Sequence, residues 1–185
     1  MKIDIDDSLS MELISEEHAG ALIDVINLNR LYLKKWLPWL DVMTTLEESH
    51  KFIATAIAQY DVFGFPIFAL RYKGNICGLN GFTKFEKIHG FANLGYWIDE
   101  FHTGKGIATK TCQELLRVGF DDCDLHKIEL RIAEKNTQSR AVADRLGFTF
   151  EAVLRDCEWL YDHHVDHAVY SMTRPEYQQR LAHAG

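Results

Sequence analysis

Six consecutive residues, Thr103-Gly104-Lys105-Gly106-Ile107-Ala108, have the make-up of an anion cradle. They lie between a strand-like run, Asn93 to Ile98, and a helical run in which Ala108, Cys112, Leu115, Leu116 and Phe120 recur at helical spacing. Glycines at 104 and 106 let backbone N–H groups turn inward with no Cβ in the way. That happens just where a new helix presents its unpaired donors. The chemistry implied is binding of a phosphate-bearing cofactor or substrate, although a plain turn before a helix reads the same. Two commoner phosphate motifs are excluded. GxxxxGK[ST] lacks its upstream glycine, and GxGxxG needs glycine at 109, where the chain has Thr109.

A second polar group opens another helix. Asn136 follows a strand-like run and can cap the helix beginning at Thr137 while still offering its amide to a ligand. Ser139, three residues on, places a hydroxyl on the same side. Read alone, both serve equally well as plain cap and turn residues. His163, His164 and His167 invite a zinc reading, but no cysteine or fourth ligand stands at a structural-zinc spacing. They read as a solvent-facing hairpin tip, and no metal is called for.

The elements that must position these groups follow from periodicity. Ile3 to Ile14 reads as an edge strand interrupted by a polar turn, and Glu16 to Tyr32 as one helix or two short ones. The aromatic run LYLKKWLPWL, 31 to 40, is stopped or kinked at Pro38. Thr44 or Thr45 with Glu47 or Glu48 makes a capping box for a helix whose apolar face is Phe52, Ile53, Ala56 and Ile57. Phe65 to Tyr72 and Ile76 to Phe82 form a hairpin through Lys73-Gly74-Asn75, and Phe91 to Ile98 is the next strand. A helix over 107 to 123, a strand over Lys127 to Ala133 and a helix from Thr137 to Leu146, stopped by Gly147, come next. Strands over Phe148 to Cys157 and Val165 to Met172, joined across YDHH, close the chain, with QQRLAHAG as a tail. The order predicts a single mixed α/β domain over 1–185, without repeat or linker.

Composition narrows the function. Twenty basic against 27 acidic side chains give a net charge of -7, which argues against a nucleic-acid backbone as the main partner. No apolar segment approaches membrane-spanning length, and the acidic start MKIDIDDSLSMEL is unlike a signal peptide. Cys77, Cys112, Cys123 and Cys157 lack CxxC spacing and read as buried, reduced thiols of a cytoplasmic protein.

Taken together, these blocks resemble the GNAT superfamily of acyl-CoA N-acyltransferases, and within it the RimJ/RimL-type ribosomal-protein N-terminal acetyltransferases. The family's cradle motif, Gln or Arg, two residues, Gly, one residue, Gly or Ala, falls on Thr103 to Ala108. Thr103 replaces the usual long side chain. GYWI at 95 to 98 resembles the strand before the cradle, and Asn136 to Phe148 fits N-x-x-S-x-x-V/A-x-x-x-x-G-F. LYLKKWLPW at 31 to 39 resembles the acceptor-side aromatic segment, and DHAVYSMTRPEY at 166 to 177 the final strand and tail. The likeness covers nearly the whole chain.

The resemblance implies a mixed central sheet with two splayed parallel strands, flanked by helices. It implies acetyl-CoA as cofactor, met by Tyr96, Trp97 and Ile98, by Thr103, Gly104, Lys105, Gly106, Ile107, Ala108 and Thr109, and by Asn136 and Ser139. Ser139 would protonate or hydrogen-bond the coenzyme A sulfur, and Asn136 would orient the pantetheine or a water. Glu158 would draw off the amine's proton, its pKa raised by burial beside Trp159, with Glu86, His89 and Glu129 as weaker alternatives. Trp36, Trp39, Glu86 and Tyr161 would meet the acceptor, although core aromatics would read alike. The acceptor implied is a protein N-terminus, with ribosomal proteins as one candidate class. The alternatives are a small amine (polyamine, amino acid or aminoglycoside) or a silent acyl-CoA-binding module. Aromatics near the C-terminal strands permit a homodimer.

Overall fold

The computed structural model describes residues 1–184, which divide into two compact units. The first comprises Met1–Gly81 and Tyr96–Glu114, the second Phe82–Gly95 and the chain from Leu115 onward.

In the first unit, β1 (Lys2–Asp6), β2 (Leu9–Leu13), β3 (Ile67–Tyr72) and the part of β4 (Asn75–Glu86) up to Gly81 lie side by side, successive pairs antiparallel, whereas β4 from Phe82 and β5 (Phe91–Ile98) as far as Gly95 belong to the second. The β3–β4 turn needs positive φ at two residues, and Lys73 and Gly74 take 50° and 83°. That pair of left-handed residues matches the twist of the flanking strands. The helices α1 (Ala19–Leu28), α2 (Arg30–Leu33) and α3 (Leu46–Phe63) surround an apolar core that includes Leu22, Ile26, Leu40, Ile53, Ala69 and Trp97. Pro38 opens a short 3-10 turn, Pro38–Asp41, rather than kinking a continuous helix. Its fixed φ suits that first position.

Thr45 caps α3, accepting from the Glu48 N–H, while the Glu48 carboxylate accepts from the N–H groups of Thr44 and Thr45 at 2.8 and 2.9 Å. Those bonds, the Thr44 N–H first among them, hold the Glu48 carboxyl down at about 2. A depressed folded-state pKa stabilises the fold above the unfolded value, and the contribution fades as pH falls through the folded one. Glu48→Gln is therefore expected to leave the urea midpoint lower at neutral pH and to flatten its decline between about pH 5 and pH 2. An acid limb identical to wild type would remove the box from the account.

In the second unit, β5 pairs in parallel with β6 (Lys127–Ala133), and β8 (His163–Thr173) lies between β6 and the edge strand β7 (Thr149–Leu160). The sheet is thus mixed, and the parallel ladder is short: Phe91, Ala92 and Asn93 pair with Lys127, Ile128 and Glu129. Among the described residues, the ladder has no pairs past these three. The helix expected over 107 to 123 is α-helical as α4 (Ile107–Arg117) and widens into a π-turn over Val118–Asp122. Gly119 lies in that turn, where a Cβ would stand 2.6 and 2.7 Å from side-chain atoms of Ile128 and Phe82.

Three expectations are corrected. The C-terminal segment is a helix, α6 (Arg174–Ala184), not a tail. Thr173 and Glu176 form its N-terminal box, the Glu176 carboxylate accepting from the Thr173 N–H and hydroxyl, each at 2.7 Å. The last hairpin turns at Tyr161-Asp162, so His163 and His164 belong to β8. Among the cysteines, Cys157 is exposed and Cys123 half-buried. Burial pushes the Cys77 thiol up to about 12 and the Cys123 thiol to about 11. Among the described residues, no helix is long and apolar enough to cross a membrane.

Candidate active site

The cradle is built in the first unit. Asp99, 4% exposed, ends β5 and caps the 3-10 turn Glu100–His102, accepting from the His102 N–H at 2.9 Å and pairing with its Nδ1 at 2.8 Å. The chain then passes through Gly104 and Gly106, at φ of 74° and 76°, into α4. A Cβ added at either glycine meets nothing within 4 Å. Bare, uncrowded backbone at the start of an eleven-residue helix suits a pyrophosphate, so these residues fit the coenzyme A that the resemblance implies. Thr103 spends its hydroxyl on the Glu100 carbonyl at 2.9 Å. Lys105 lays its ammonium over the Tyr72 ring, 5.3 Å from the centroid.

The other cofactor candidates divide by what they can offer. Trp97, Ile98 and Ile107 are buried, so their side chains belong to the interior and backbone is what they present. Tyr96, Ala108 and Thr109 are half-buried.

Gly106→Val is expected to raise the KM for acetyl-CoA about tenfold with a small change in kcat. The left-handed conformation costs a side-chain-bearing residue roughly 1–2 kcal/mol, and a branched side chain fills space a bound phosphate would use. Initial rates against acetyl-CoA concentration check this, and an unchanged KM would refute the cradle.

The second unit carries the remaining candidates. Asn136 caps α5 (Thr137–Leu146), its Oδ1 accepting from the Ser139 N–H at 3.1 Å. The amide oxygen is thereby committed, and Nδ2 is the group it can turn to a ligand. Ser139 is half-buried on the first turn of that helix. Glu158, on β7, has a side chain 30% exposed. The environment expected for it is different in kind. Trp159 is 54% exposed and meets His164 edge-on, because neighbouring strand residues point to opposite faces. The group against Glu158 is His167, with Nε2 3.1 Å from Oε2. His167 is only 13% exposed and so is no part of a solvent-facing tip.

The weaker candidates are placed elsewhere. Glu129 is buried and paired with Arg131 at 2.6 Å, while Glu86 and His89 are exposed. Tyr161 stands at the β7–β8 turn with φ of 61°. In the first unit Trp39 packs against the core cluster and Trp36 is half-buried.

Comparison with known proteins agrees with this architecture. The family described as acetyltransferase (GNAT) domain matches residues 9–149. The putative ribosomal N-acetyltransferase YdaF of Bacillus subtilis (strain 168) is 28% identical over 94% of this chain and 96% of its own. The ribosomal-protein-serine acetyltransferase of Escherichia coli (strain K12) is 27% identical over 91% and 94%. Among solved structures, the ribosomal L7/L12 alpha-N-protein acetyltransferase RimL in complex with coenzyme A superposes at a TM-score of 0.90. It is 25% identical and covers 95% of this chain and 99% of that one. The microcin C7 self-immunity acetyltransferase MccE, in complex with acetyl-CoA and AMP, gives a TM-score of 0.88 at 26% identity, covering 92% and 95%. With a matching fold, a glycine cradle opening α4 and a family match over most of its length, this chain belongs to the GNAT acetyltransferase family and is an acetyl-CoA-dependent N-acetyltransferase.

Proposed function

We propose that this enzyme acetylates the N-terminal α-amine of a protein, a ribosomal protein first, in the cytoplasm. The observation that carries the reading is its end-to-end likeness to acetyltransferases of ribosomal-protein N-termini, in sequence and in fold. The bound cofactor supplies the acetyl group as an activated thioester. Backbone N–H groups of Gly104 to Ala108 hold its pyrophosphate, and the exposed edge of Tyr96 to Ile98 takes its amides. Glu158 accepts the proton that the attacking ammonium must lose, directly or through one water. Ser139 would donate its hydroxyl proton to the departing sulfur and regain one from the nitrogen, which sheds its second proton as it is acylated, and Asn136, by capping α5, keeps that hydroxyl in place. Attack is direct, with no acyl-enzyme, so none of the four cysteine thiols is needed as a nucleophile.

Purified protein is incubated with acetyl-CoA and peptides bearing free or blocked N-termini, alongside spermine and an aminoglycoside. Product mass and released thiol are then read. Acetylation confined to free N-termini is expected. Turnover on the small amines alone would overturn the protein acceptor in favour of a small-molecule amine.

A further inference from the structure

We propose that His167 is a positioning residue for Glu158, and that a bulge in β7 exists to bring the two together. The inference rests on the reading of Glu158 as proton acceptor.

The register carries the argument. Leu154 of β7 stands opposite His167 of β8, and the next recorded pair is Glu158 opposite Val165. Between them β8 advances by two residues and β7 by four, so β7 holds two extra residues. Regular pairing would set Glu158 opposite His163, four positions from His167 or about 13 Å along the strand. The bulge brings it two positions away, on the same face, a diagonal spacing of about 7–8 Å that long side chains cross. Nε2 and Oε2 accordingly meet at 3.1 Å.

The bulge is built rather than loose. Asp156 takes a φ of 48°, which aspartate tolerates better than most residues. Its N–H donates to Asp166 Oδ1 at 2.8 Å. The Asp166 carbonyl in turn accepts from the Glu134 N–H at 2.8 Å, so the clamp is anchored to the end of β6. Beside His167, the register partners on both neighbouring strands are Ala133 and Leu154, which have no polar side-chain atom to draw the ring away.

A glutamate on an edge strand has several rotamers and would ordinarily swing through solvent. A donor on Oε2 selects one of them and leaves Oε1 to receive the proton. His167→Leu is expected to lower kcat about 10- to 100-fold with both KM values within about twofold, since misplacing a reacting group costs rate more than binding. His167→Gln, which keeps a side-chain N–H, recovers most of the loss. Asp166→Ala follows the leucine variant, whereas Asp166→Asn retains activity. Acetyl-CoA binding and far-UV circular dichroism monitor folding.

A His167→Leu enzyme with wild-type kcat beside a crippled Glu158→Gln enzyme overturns the positioning role alone. A fully active Glu158→Gln enzyme overturns the base assignment, and this inference with it. Imidazole nitrogen NMR needs no acceptor at all. His167 is expected as the Nε2–H tautomer in wild type and to lose that preference in Glu158→Leu. An unchanged tautomer overturns the proposal even where no turnover is found.

Discussion

Glu158→Gln is expected to leave acetyl-CoA binding unchanged and to lower kcat by about 10²- to 10⁴-fold, the range of a lost general base. The replacement has the same shape and keeps an oxygen for His167, so the hydrogen bond at 3.1 Å can persist. What disappears is proton affinity. An N-terminal ammonium must shed its proton before its nitrogen can attack, and a glutamine amide takes none at neutral pH. The loss should fall on kcat and on kcat/KM alike, because the interaction strengthens only as the reaction proceeds. Initial rates at saturating acetyl-CoA, with a free-N-terminus peptide as acceptor, measure it. A loss below about threefold would mean that another group, or solvent, removes the proton.

The largest effect on stability is expected from Phe120→Ala. Phe120 sits in the π-turn after α4, fully buried, and stacks on Tyr177 of α6 with ring centroids 4.8 Å apart. Removing a buried phenylalanine ring costs about 3–5 kcal/mol, a large share of the roughly 5–15 kcal/mol that holds a domain folded. For a chain of this size the melting temperature should drop by roughly 6–20 °C. A drop under about 2 °C would mean that α6 can be shed without exposing the core, and that the stacked pair contributes little.

Where local pattern determined the structure, the sequence was a good guide. The β5, β6 and α5 boundaries fall where alternation, helical spacing and the Asn136 and Gly147 signals set them. The helix α6 was illegible by periodicity, because RPEYQQRLAHA has a thin apolar face anchored by Tyr177. Its signal was chemical: Thr173, Pro175 and Glu176 together spell a helix start. The candidate site divides in the same way. Glycines with positive φ and the cap of Asn136 can be read from residue type. The partnership of His167 with Glu158 cannot, since it depends on two extra residues in one strand that shift every later pairing. A reader who counts alternate positions from Phe148 loses the register first between Phe150 and Ala152 and again after Leu154. The exposed Trp159 fails for a related reason, as it borders Glu158 in sequence and lies across the strand from it in space.

The bulge in β7 has one more consequence, unconnected with proton transfer. β7 is the outer strand of its sheet, and Phe150 and Val153 on it are 49% and 39% exposed. Twelve straight residues of that kind would offer a continuous row of backbone donors and acceptors, which invites another chain to add as a further strand. The register shifts between Phe150 and Ala152 and between Leu154 and Glu158 break the regularity of that row, and bulges of this kind bend a strand and increase its twist. The same two residues that aim a carboxylate therefore also guard the protein against edge-to-edge aggregation, and a chain engineered without them would be expected to precipitate on storage.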